Sequence, residues 1–114
     1  PLVTGVQTCA LPILYGYALG GFTGGYLVTA DRVTFATSAT AASTVSNLSQ
    51  ARAFAAGVSD GATYGYALGG VTNSGAFVTT ADRLTFSSGA TSASTVSNLS
   101  QARGYAIGVS DGAV

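Results

Sequence analysis

Two stretches of this 114-residue chain recur almost letter for letter, and that recurrence limits the architecture more than any single motif does. YGYALGG occupies Tyr15 to Gly21 and returns 49 residues later at Tyr64 to Gly70, while ASTVSNLSQAR occupies Ala42 to Arg52 and returns 51 residues later at Ala93 to Arg103. The difference is a local insertion between the Gly pair and the Asp-Arg pair, where FTGGYLVTA becomes VTNSGAFVTTA. A surface loop is expected in that stretch. Ser and Thr are as unchanged between the copies as the apolar positions are, which is the mark of recent duplication. Identity between copies therefore nominates no site.

Within each copy the residues alternate with a period of two. Tyr15, Tyr17 and Leu19 alternate with Gly16, Ala18 and Gly20, and Tyr64, Tyr66 and Leu68 with Gly65, Ala67 and Gly69; both segments read as strands. Phe54, Ala56 and Val58 oppose Ala53, Ala55 and Gly57, and Tyr105, Ile107 and Val109 oppose Gly104, Ala106 and Gly108 in the same way. Each sheet then has a bulky face and a nearly bare one. Such sheets pack in a stack, the bulky face of one over the bare face of the next. Asp60-Gly61 between two alternating segments is a strong hairpin signal, and it recurs at Asp111-Gly112. The hairpin runs from Ala53 to Gly69, with further strands expected over Val78 to Ser87 and Ala93 to Leu99, joined by a turn at Ser88-Gly89-Ala90. The class is all-β, and a period near 50 suits one four-stranded propeller blade. About two antiparallel blades are expected, from a partial repeat over 15–51, a complete one over 52–102 and a partial one over 103–114.

The order of these residues resembles the kelch repeat: a strand-opening Arg52, the turn Asp60-Gly61, an aromatic strand ending in Gly69-Gly70, an Asp at 82, and Leu99 ahead of the next Arg103. The resemblance covers about 100 residues. It departs from the family where a Trp usually stands, Phe35 and Phe86 being the nearest large residues, so the chain is similar to a divergent kelch-like array. The resemblance implies a fragment of a β-propeller whose further blades lie elsewhere in the same chain. Ser-Gln-Ala-Arg and Gly-Gly repeats of this kind are also similar to those of bacterial and phage tail or surface proteins, which implies an extracellular or virion-surface setting. Residues 1–14 stand apart. Val3 to Ile13 resembles the translation of a common short-read sequencing adapter, so this segment, with the lone Cys9, is expected to be foreign to the natural chain.

Composition narrows the function. The chain has no His, Lys, Glu or Met, and 7% of its residues are charged, against about 25% in an ordinary soluble domain. The usual general bases and metal ligands are nearly absent, so no enzyme, cofactor or metal is expected. A net charge of +0 lacks the basic footprint that nucleic acid requires. Mean hydropathy is +0.44, yet no run of about 18 apolar residues offers a membrane-spanning helix.

The charged residues recur in every repeat: Asp31-Arg32 and Asp82-Arg83, Arg52 and Arg103, Asp60 and Asp111. A catalytic constellation is built once, whereas a repeating sheet needs the same turn and charge pairing each time. These residues, with Gly61, Gly69 and Gly70, are expected to be structural, the arginines tying strand ends to carbonyls or carboxylates. Asn47-Leu48-Ser49 and Asn98-Leu99-Ser100 match a glycosylation acceptor pattern, which duplication of one chance match explains. Recognition is expected in the loops that change, Phe22 to Thr29 and Val71 to Thr80, with Phe22, Tyr26, Asn73 and Phe77 as contact candidates for a glycan or protein. The expected function is a non-enzymatic structural or binding module. Its rival is the non-catalytic part of a propeller-bearing enzyme such as a copper oxidase, whose His and Tyr-Cys pair this sequence lacks.

Overall fold

The computed structural model describes residues 14–111. Its elements are β1 (Tyr15–Phe22), β2 (Tyr26–Thr34), β3 (Ala39–Ala42), a 3-10 turn at Thr44–Ser46, β4 (Ala56–Ser59), β5 (Tyr64–Leu68), β6 (Ala81–Thr85), β7 (Ala90–Ala93) and a second 3-10 turn at Thr95–Ser97. The protein is all-β. Every ladder is antiparallel, in one sheet ordered β1-β2-β3 and another ordered β4-β5-β6-β7. One of the two expected sheets thus has four strands and the other three. The segment read as foreign, apart from Leu14, and Gly112 of the second Asp-Gly turn lie outside the described residues.

The alternation in β1 and β5 sets the two faces of each sheet. Tyr66 stands opposite Arg83, and the Arg83 guanidinium lies over the Tyr64 ring at 4.2 Å; Arg32 lies over Tyr15 at the same distance in the first sheet. On the other face of the second sheet, Gly65 pairs with Leu84 and Ala67 with Asp82. This bare face carries the buried Ala67, Leu84 and Asp82, and it looks toward the first sheet. An open groove of about 440 Å³ separates Tyr15, Tyr17 and Leu19 of β1 from Gly65, Leu84 and Phe86. Part of the bare face is filled from within its own repeat, because the Phe86 ring occupies the space where a Cβ on Gly65 would point, as the Phe35 ring does for Gly16.

A returning loop from each repeat crosses its own sheet at corresponding places. The Leu48 and Leu99 amides donate to Val28 and Thr79 carbonyls, both at 2.9 Å, and the Gly21 and Gly70 amides donate to the Arg52 and Arg103 carbonyls at 3.0 and 2.9 Å. Four expected strand assignments change here. Ala93 to Leu99 is not the fourth strand: β7 spans Ala90–Ala93, from the last residue of the expected turn to the first residue of the expected strand, and the chain then enters the 3-10 turn. The reason lies in side chains that compete with the ladder. The Ser94 amide donates to the Ala81 carbonyl, the Ser94 and Ser97 hydroxyls lie 2.8–2.9 Å apart as do those of Ser43 and Ser46, and Asn98 Oδ1 accepts the Ala81 amide at 3.0 Å. Likewise the strand expected from Ala53 begins only at Ala56, because Phe54 has φ 62°, and Val78 to Ser87 narrows to Ala81–Thr85. Tyr105, read as part of an alternating strand, has φ 60°, and residues 104–110 form no strand.

The Gly pair at the end of β5 shows why glycine is needed there. Gly70 has φ +114°, and a Cβ on it would stand 2.6 Å from the Ala53 carbonyl oxygen; Gly75 has φ +79° with open space around it. Strain and collision act together at Gly70, strain alone at Gly75. Gly70→Ala is expected to lower unfolding stability by about 3 kcal/mol or more and Gly75→Ala by about 1 kcal/mol. Urea denaturation of the two variants checks this.

Candidate functional site

At the Gly-pair end of the sheets, loops from both repeats bring aromatic side chains to one surface. Phe22 and Tyr26 close the β1–β2 hairpin, their rings meeting edge to face at 5.1 Å. The Tyr26 amide donates to Asn73 Oδ1 at 3.4 Å, so the variable loops of the two repeats touch. Ala53 and Val71 exchange backbone hydrogen bonds of 2.9–3.0 Å, which brings the inter-sheet connection beside the second variable loop. Phe54 follows directly. Its ring stacks on Tyr105 with centroids 4.3 Å apart and planes inclined by 28°, and Phe77 meets Tyr105 at 6.5 Å in a T-shaped contact.

Phe54 and Tyr105 occupy equivalent places in the two repeats, and both adopt left-handed backbone conformations. That region is costly for a bulky side chain. The Tyr105 amide donates to the Phe54 carbonyl at 2.9 Å, which holds the two strained residues against each other. The stacked rings remain open to water: Phe54 is 45% exposed, Phe77 50% and Tyr105 66%. Exposed aromatic carbon in contiguous rings is the usual mark of a contact surface. Sequence reasoning reached Phe22, Tyr26, Asn73 and Phe77 through the variable loops but placed Phe54 and Tyr105 within strands. The available signal was an aromatic residue two positions after an Ala-Arg pair in both repeats. Alternation cannot reveal a left-handed backbone.

The surface can do little chemistry beyond contact. Phe22, Tyr26, Phe54, Phe77, Tyr105 and Asn73 include no carboxylate, imidazole or thiol. Among the described residues no three His, Cys, Asp or Glu side chains gather as a metal site would need, and no helix is long and apolar enough to cross a membrane. Stacking from the rings and hydrogen bonding from Asn73 are what the geometry offers.

The recurring charges lie elsewhere and divide sharply. Arg52 and Asp82 are both fully buried, with Arg52 Nη2 donating to Asp82 Oδ2 at 3.1 Å and to the Ala67 carbonyl at 3.0 Å. The Ser49 amide donates to the same carboxylate oxygen at 3.1 Å. Burial pushes the Arg52 guanidinium below its ordinary pKa, and the charge and hydrogen bond of Asp82 oppose that shift. Asp31 and Arg103, at the matching places in the other repeat, are exposed. Asp60 Oδ1 accepts the Ala62, Thr63 and Tyr64 amides at 2.9, 2.7 and 3.0 Å around Gly61, whose φ is +81°. Asn47 and Asn98 of the acceptor-like triplets use their side-chain oxygens on the Ala30 and Ala81 amides.

No protein-family model matches this chain, and no curated protein matches it.

Two outcomes follow from the charges. Removing one member of a buried pair strands the other without compensation. Asp82→Ala is therefore expected to cost about 3–5 kcal/mol, and Asp31→Ala no more than about 0.5 kcal/mol, in urea unfolding. The Tyr64, Ala62 and Thr63 amides hold the Asp60 carboxyl below the usual carboxylate value. Its folded pKa lies under its unfolded one, so the stability it contributes is complete above about pH 4 and is lost as pH falls through the folded value. Asp60→Asn is expected to lower stability at neutral pH and to flatten the acid limb of a stability-against-pH curve.

Proposed function

We propose that the chain is a non-enzymatic binding module, a divergent kelch-like propeller fragment that takes a glycan through the aromatic surface at its loop end. The observation that carries this reading is the exposed Phe54–Tyr105 stack with Phe77 beside it. A sugar ring has an apolar face of C–H groups and a rim of hydroxyls. Flat aromatic faces cover the first, and Asn73 with the nearby Thr72 and Ser74 hydroxyls, 3.2 Å apart, suits the second. The strained backbone at Phe54 and Tyr105 fits a site in which the scaffold holds rings at the surface against their local preference.

The propeller part of the reading is supported by the period near 50, by the sequential order of the four-stranded sheet and by the stacking of one sheet on the next. A bacterial or phage surface component is the setting the repeat sequences favour.

Binding to a glycan array, followed by titration of the retained sugar, tests the proposal. Phe77→Ala and Tyr105→Ala are each expected to weaken binding about 5-fold or more, with the circular dichroism spectrum unchanged because both rings are largely exposed. An array on which the chain retains no glycan, or equal affinity in both variants, would end the glycan reading.

A further inference from the structure

The contact between the two sheets is built from residues that every repeat carries, and half of that contact is left over at each outer face. Inside the molecule, the loop from Ser43 to Arg52 lies between the first sheet and the bare face of the second. It presents Ser46, whose hydroxyl donates to the Gly89 carbonyl at 2.6 Å, then the Ser49 amide, then the Arg52 guanidinium, the last two on Asp82. All three contacts run from the loop over the first sheet to the second sheet. The neighbouring pair Asp82-Arg83 does not bond internally in this way; the carboxylate takes Arg52, from the end of the loop that returns over the first sheet.

On the outer side of the second sheet the same donors make no contact with another sheet among the described residues, the Ser97 hydroxyl meeting that of Ser94 at 2.9 Å. Ser97, the Ser100 amide and Arg103 are the counterparts of Ser46, Ser49 and Arg52. Their backbone is anchored alike, the Arg52 and Arg103 amides donating to the Leu27 and Val78 carbonyls at 3.2 and 3.4 Å. Ser46 and Arg52 are 0% and 1% exposed, whereas Arg103 is exposed and Ser97 half-buried. The matching acceptors stand on the outer side of the first sheet: Asp31, the counterpart of Asp82, beside the exposed Ala18. Among the described residues neither Asp31 nor Arg103 forms an ion pair.

We propose that these two outer faces bind each other between copies of this chain, head to tail, with Arg103 of one copy on Asp31 of the next. The occupant is a second copy because the internal contact is already a fit between the same two surfaces. A bulky face with its Arg-bearing loop meets a bare face with its Asp, and the charges left over are one of each sign. The interface is heterologous, each copy using two different patches. Such contacts close into a ring where the rotation between units allows it and otherwise run on as a filament. The proposal is independent of the glycan reading, since neither Asp31 nor Arg103 belongs to the aromatic surface, and it concerns the 114 residues by themselves: in a longer array a further repeat would take the same two faces.

Sedimentation equilibrium of the 114-residue chain over concentrations up to about 1 mM, with Asp31→Ala and Arg103→Ala run alone and mixed, decides the matter. The unaltered chain is expected to associate. Each variant keeps one competent face and loses the other, so each alone is expected to associate about 100-fold more weakly. An equimolar mixture is expected to form 1:1 pairs and nothing larger, because Asp31 of the Arg103→Ala chain meets Arg103 of the Asp31→Ala chain. Circular dichroism of both variants, unchanged from the parent, establishes that exposed residues were altered without unfolding. A parent chain that stays monomeric overturns the proposal. So does association of either variant at the parent's strength, or a mixture that fails to pair.

Discussion

A guanidinium and a carboxylate that see no water hold this structure together as one object. The aliphatic and aromatic residues alone would not do it. The buried apolar side chains are Ala30, Leu48, Ala53, Ala56, Ala67, Val71, Ala81 and Leu84, and alanines bury little apolar area each. Between the two sheets Arg52 lies on Asp82 and on the Ala67 carbonyl, with the Ser49 amide on the same carboxylate oxygen and the Ser46 hydroxyl on the Gly89 carbonyl. Burying two charges is expensive, and the gain in stability over a well-packed apolar pair is small. What the pair provides is position. A guanidinium that must find both a carbonyl and a carboxylate fixes where one sheet lies on the next, in a chain whose small side chains would otherwise allow sliding.

That fixing reaches the aromatic surface through the same loop. Arg52 is followed by Ala53, which pairs with Val71, and then by Phe54, which turns through a left-handed conformation onto Tyr105. The glycines at 69 and 70 let the chain pass close enough for the pairing to form, with the Ala53 and Arg103 carbonyls standing where side chains would be. Scaffold and surface are thus coupled over three residues. A shift of the Arg52 guanidinium would move the Phe54 ring.

Much of the scaffold was legible in the sequence because it obeys short-range rules. The alternation of Tyr64, Tyr66 and Leu68 with Gly65, Ala67 and Gly69 has only one regular outcome, and β1 and β5 lie where it placed them. The fourth strand was misplaced because Ala93 to Leu99 is only what remains of a four-stranded blade, and a Ser94 backbone amide and an Asn98 side-chain oxygen that capture the Ala81 backbone leave no mark in a pattern of apolar residues. Which arginine meets which aspartate is not legible from adjacency in sequence. Asp82 has an arginine next to it in sequence, yet Arg83 turns to the Tyr64 ring and the carboxylate takes Arg52 from thirty residues earlier. Adjacent residues of a strand point to opposite faces, so an Asp-Arg dipeptide cannot pair across one face of a sheet. Of the aromatic surface, the variable loops gave four members, while Phe54 and Tyr105 were hidden by a backbone conformation that propensity disfavours.

The most direct test of the central claim is the amide exchange rate of Ser49. This residue lies exposed in a loop, outside any strand or helix, and its amide donates to a buried carboxylate oxygen across the sheet interface. If the Arg52–Asp82 contact joins the sheets, that amide is protected to about the same opening free energy as amides within β5 and β6. Exchange of Ser49 at the rate of an unprotected loop, with the strands still protected, would show two sheets that move independently and would contradict the account.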